Sequence, residues 1–181
     1  MRAAFYKTTI NAFRFFYLMV LFIVVSAQSF AESENNEYNI KAMFVLNFMK
    51  YVEWPQEPNS DTFKIGVVGE SNIYQALLSL VANRKENSKI KIYKVNTDLN
   101  EEYQILIIAR NENNRIESLS KKYQGKGTLI ISEDCKNNNN ASINLVNINN
   151  KIRFEINNIQ AKLGGIKISS KLSEMAISVQ P

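Results

Sequence analysis

The stretch RFEIN (153–157) puts Arg153, Glu155 and Asn157 at two-residue intervals, the spacing at which side chains share one face of a β-strand. Such residues stand about 7 Å apart. They fit a partner- or ligand-binding face on which Arg153 takes an anion. They fit equally the solvated side of a half-buried strand with a local Arg–Glu pair. The acids Glu101-Glu102 and Glu133-Asp134 are adjacent in sequence. Neighbouring acids on a loop point to different sides, whereas hydrolytic acid/base pairs need set separations across a cleft, so no catalytic role falls to them. Cys135 lies in the polar loop ISEDCKNNNN, where Glu133 and Asp134 oppose thiolate formation.

Other candidates are weaker. GVVGES (66–71) falls between a strand and a helix, where phosphate could meet helix N–H groups. It lacks the G-x-G-x-x-G spacing, and Glu70 adds negative charge, so a tight turn is the better reading. GKGT (125–128) precedes a strand instead of following one and is no P-loop. The chain has no histidine, which excludes Ser-His-Asp and Cys-His catalysis, His-ligated zinc and imidazole proton transfer. No catalytic residue, metal ligand or cofactor is therefore assigned.

The elements that must position these residues begin after a leader. Met1–Arg14 carries Arg2, Lys7 and Arg14 without an acid, and FFYLMVLFIVV (15–25) is an unbroken apolar run. Ser29 and Ala31 then sit three and one residues before a cut. A basic start, a short greasy middle and small residues at the end mark a secretory signal peptide over 1–31. Ala27 is the alternative cut. An uncleaved anchor or an N-terminal core helix is the other reading, but the apolar run is shorter than the roughly 20 residues of a bilayer span. With one cysteine, no internal disulfide can form. Of the 22 basic residues three belong to the leader, leaving 19 against 17 acids over 32–181. That balance gives no nucleic-acid footprint.

Residues 32–181 read as a single domain. From Tyr38 the pattern is helical, with Ile40, Met43, Phe44, Phe48, Tyr51 and Val52 in one stripe, Val45, Leu46 and Met49 widening it, and Lys41, Lys50 and Glu53 on the polar side. Asn47 interrupts the stripe, as a buried latch, an interface residue or a rim residue. Pro55 stops the helix near Glu53 or Trp54. Trp54-Pro55 is either an exposed anchor for a partner or the closure of the core. FKIGVVG (63–69), ILIIA (105–109) and TLIIS (128–132) read as buried strands, and KIKIYKV (89–95) as a strand exposed on one side. Helices fall between them. The alternation predicts an α/β fold, a mostly parallel three-layer sandwich of the Rossmann-like kind. SINLVNI and KIRFEIN, joined by Asn149-Asn150, predict a C-terminal antiparallel hairpin. A closing helix follows from Ser170, burying Leu172, Met175, Ala176 and Val179.

With these segments in place, KAMFVLNFMKYVEWP (41–55), FKIGVVGES (63–71), ILIIA, GTLIISE (127–133) and RFEIN…GGIKISSKLSEMA (153–176) resemble the YfiR family of exported bacterial proteins. The likeness spans nearly all of 32–181 in order. It implies a periplasmic α/β domain, not itself membrane-spanning, that regulates instead of catalysing. It implies a homodimer that binds the periplasmic part of an inner-membrane diguanylate cyclase, or another membrane sensor, and restrains it. Envelope cues would lift the restraint, raising cyclic-di-GMP and favouring biofilm. On this reading Asn47, Trp54, Pro55, Arg153, Glu155 and Asn157 are partner- or ligand-binding residues. The runner-up is a periplasmic sensor of a small anionic ligand. The family's better-studied members use disulfides, which a chain with only Cys135 cannot form internally, and NNNN (137–140) replaces a loop that is usually glycine-rich.

Overall fold

The structure is a computed structural model that describes residues 36–55, 62–83, 89–95, 101–136 and 140–180. The leader, its cut after Ala31 and most of the NNNN run lie outside the described residues. Of the chain's two units, Met1–Glu37 and Tyr38–Pro181, the fold below is that of the second.

A first helix, α1 (36–48), leads through a turn to β1 (Val52–Glu53). Then follow β2 (Phe63–Val68), α2 (Ile73–Ala82), β3 (Ile90–Val95), β4 (Ile105–Ile108), a 3-10 segment (Arg110–Arg115), α3 (Ile116–Lys122) and β5 (Leu129–Glu133). The closing part is β6 (Ile143–Ile148), β7 (Lys151–Asn157), α4 (Asn158–Leu163), β8 (Lys167–Ile168), α5 (Ser170–Met175) and β9 (Ser178–Gln180). Seven strands form one sheet in the order β3-β2-β4-β5-β6-β7-β9, while β1 and β8 pair apart from it.

Residues apolar on both faces became the central strands. Alternate side chains of β2, β4 and β5 enter two different cores, as a two-residue period requires. Ile65, Val67, Ile105, Ile107, Leu129 and Ile131 meet α1, α2, α4 and α5 on one side of the sheet. Leu106, Ile108 and Ile130 meet Ile116, Leu119 and Tyr123 of the α3 segment on the other. The five strands β3, β2, β4, β5 and β6 run parallel. This is the predicted helix–sheet–helix sandwich. The predicted hairpin is present too: β6 and β7 pair antiparallel with Ile148 opposite Lys151, and Asn149 and Asn150 adopt φ of 51° and 60°. Two successive positive-φ residues are what a two-residue hairpin turn demands, and asparagine tolerates them.

Two expectations need correction. The closing helix does not run to the end. Ala176 takes extended backbone, and the last residues form β9, parallel to β7 with Val179 beside Ile156. Met175 and Val179 are exposed instead of buried, because main-chain bonding to β7 holds this segment where the helical pattern would have turned it inward. Likewise α1 is rotated from the expected stripe. Val45 and Phe48 are buried as expected, with Ala42 beside them, but Met43 is exposed and Lys41 is taken out of solvent. The helix ends at residue 48, and Val52 belongs to β1.

Candidate functional site

Strand order in the sheet reverses between β2 and β4, and open α/β sheets bind ligands beyond the carboxyl ends of strands at such a point. Here the turn after β2 is Gly69, at φ of +85°. A Cβ placed on it would lie 2.4 Å from Glu112 Cγ and 2.8 Å from Asn111 Oδ1. The chain's own side chains fill that crevice, in keeping with a tight turn and against a phosphate cradle.

One strand further along, the carboxyl end of β5 gathers a charged cluster. Lys41 of α1, 1% exposed, donates from Nζ to Glu133 Oε1 at 3.1 Å, with Asp134 Oδ2 at 3.5 Å. Its ammonium also stands 4.8 Å from the centre of the Tyr38 ring, one turn earlier on the helix. Asp134 sits in left-handed backbone at φ of 48°, an uncommon conformation outside glycine. Arg110, just past β4, donates to its Oδ2, and the Asn147 N–H to its Oδ1 at 3.0 Å. Burial pushes the Asp134 carboxyl up. The Arg110 hydrogen bond, the Asn147 N–H and the charges of Lys41 and Arg110 outweigh it and hold the group below the usual aspartate range. Asn113 donates to the Glu133 carbonyl at 3.0 Å, fixing the strand end.

Beside the cluster runs a polar row across three strands. Ser132 Oγ donates to Asn144 Oδ1 at 3.0 Å, and Asn144 Nδ2 donates to Glu155 Oε2 at 2.9 Å. The same amide accepts from the Cys135 N–H and donates to the Cys135 carbonyl, each at 3.0 Å. Asn144 thus pins the segment after β5 as a neighbouring strand would.

The residues singled out from the sequence do not form one site. Arg153 is exposed, Glu155 is half-buried on Asn144, and Asn157 is buried. Asn157 Oδ1 caps α4 by accepting from the Gln160 N–H at 3.0 Å, and its Nδ2 holds Gln180 Oε1 at 2.8 Å. The three share a strand face, with a gradient from solvent at Arg153 to framework at Asn157. Asn47 is exposed on α1. Trp54 packs edge-on against Phe63, with ring centres 5.3 Å apart. Pro55 abuts Gly127, where an added Cβ would come within 2.9 Å of Pro55 Cγ. Trp54 and Pro55 therefore brace the start of β2 and the turn before β5.

Lys41 is the residue that sequence reasoning missed. Its signal was available: Lys41, Val45 and Phe48 fall at i, i+4 and i+7, the spacing of one helix face. A lysine in an apolar ridge needs a buried anion, and Glu133 supplies it from 92 residues away. Among the described residues no group of three or more acids and cysteines is placed to hold a metal ion. No helix among them is long and apolar enough to cross a membrane.

Fold and site together define a three-layer α/β domain whose buried polar groups are bonded chiefly to one another. The chain belongs to the YfiR/HmsC-like family, whose model matches residues 38–177. That is a family of periplasmic, non-enzymatic regulators of diguanylate-cyclase signalling that interact with membrane signalling proteins. No curated protein matches the chain.

Proposed function

We propose that this protein is exported, loses its leader after Ala31, and restrains a membrane-bound diguanylate cyclase by docking on the cyclase's periplasmic part. The observation that carries the docking reading is the uneven placement of exposed apolar side chains. Ile159 and Leu163 of α4 and Met175, Ile177 and Val179 of the closing segment are all 40% or more exposed, and α4 runs beside β9 at the sheet's edge. Apolar surface gathered at one edge is what a protein partner uses. Met43 and Asn47 on the outer side of α1 are further candidate contacts, as is Arg153 on the polar strand face. Trp54, Pro55, Glu155 and Asn157 serve this reading by holding the framework. A homodimer, and control of cyclic-di-GMP and biofilm, follow from the same reading.

The test is co-purification of residues 32–181 with the periplasmic regions of membrane cyclases from the same genome. Ile177→Asp with Val179→Asp should abolish capture while the domain still unfolds cooperatively, since both side chains are 40% or more exposed. Deletion of the whole protein should raise cyclic-di-GMP. Capture that survives the double substitution would remove the closing edge from the docking face, and unaltered cyclic-di-GMP would end the cyclase reading.

A further inference from the structure

We propose that the Lys41 ion pair is an acid-released lock: it fastens α1 to the carboxyl end of β5, and acidification frees the helix before the sheet opens. Three observations carry this.

First, the pair is buried, with side-chain exposures of 1% for Lys41 and 3% for Glu133. A buried lysine needs its counter-charge, so protonating the acids removes the anions that offset its desolvation. Second, the attachments differ. β5 has strand neighbours on both sides, β4 and β6, and is held by main-chain ladders. α1 is held to the body by side chains: Ala42, Val45 and Phe48 in the core, with Phe48 edge-on to Phe154 at 5.1 Å, and Lys41. Third, Lys94–Glu70, Lys121–Glu117 and Lys167–Glu53 pair in solvent on both partners and so are weak. Acid therefore acts first where a buried pair couples a helix to a strand.

The groups around the pair come from several elements. Tyr38 of α1, Glu133 of β5 and Asp134 of its turn meet Lys41, while Arg110 after β4 and the Asn147 N–H of β6 bond Asp134 and Asn113 bonds the Glu133 carbonyl. Arg110 stays charged throughout and cannot substitute for an anion. The sign follows from Asp134, whose carboxyl is held below its ordinary value in the fold. Such a group contributes stability above its unfolded-state pKa and loses it as the pH falls through the folded one, so release belongs below about pH 4.

The experiment is residue-resolved amide exchange between pH 7 and pH 3, corrected for the intrinsic rate. The ratio of α1 to β5 protection should fall severalfold over the acid limb as the depressed carboxyl takes up its proton. In the paired variant K41M/E133L, which leaves neither charge behind, that ratio should stay flat. Loss of α1 and β5 protection in step, or the same fall in the paired variant, overturns the lock. Should K41M/E133L not fold, Asp134→Asn keeps the Lys41–Glu133 bond and should shrink the fall, and an unchanged profile overturns the lock. Partner capture plays no part in these readouts, so failure of the docking reading would not move them.

Discussion

The two halves of the sheet close their second face by different physics. Over β4 and β5, the α3 segment lays Ile116, Leu119 and Tyr123 on Leu106, Ile108 and Ile130. Over β6 and β7 the same face carries Ser142, Asn144, Val146, Arg153, Glu155 and Asn157, and the segment after β5 is fastened there through both main-chain groups of Cys135. Apolar contact is non-directional and tolerates small shifts, whereas a row of bonded amides works in one register only. The first half makes the fold stable, and the second fixes how its far edge is presented.

The difference can be broken at several points. Ile108→Ala, in the apolar half, should lose about 2–5 kcal/mol in urea unfolding, because a buried isoleucine under α3 leaves a cavity when truncated. Asn144→Leu, in the polar half, should lose less, about 1–3 kcal/mol, by stranding its buried partners. It should also speed labelling of the Cys135 thiol, which an equal loss in the apolar half would not do.

A pH titration sharpens the contrast further. Burial first, then the neighbouring charges of Tyr103 and Glu101, push the Tyr123 phenol up to about 12. A raised folded value means the associated stability is complete below pH 10 and lost as the pH climbs towards 12. After solvent screening this is worth about 1 kcal/mol, and Tyr123→Phe should flatten the alkaline limb. Smallest is Arg153→Ala, where stability should change by less than about 0.5 kcal/mol because the side chain faces water. A larger loss would mean that the polar half leans on Arg153 itself.

Local pattern made much of this legible. ILIIA and TLIIS announced strands covered on both faces, and Asn149-Asn150 announced its hairpin because few residues accept two positive φ values in succession. The alternation of RFEIN gave the shared face, although not the gradient of burial along it. What stayed hidden depends on distant partners. Lys41 reads as a surface charge until Glu133 is brought to it, and MAISVQ continues a helical pattern until β7 offers three residues of backbone to pair with. The Asn157–Gln180 bond was equally out of reach, since it exists only once that pairing forms.

Trp54 has a practical consequence. It is the chain's one tryptophan, and it rests on Phe63 at the joint between the first helix and the sheet. Its emission is a built-in dye at that joint, so loosening of the front of the domain can be followed by fluorescence in unlabelled purified protein.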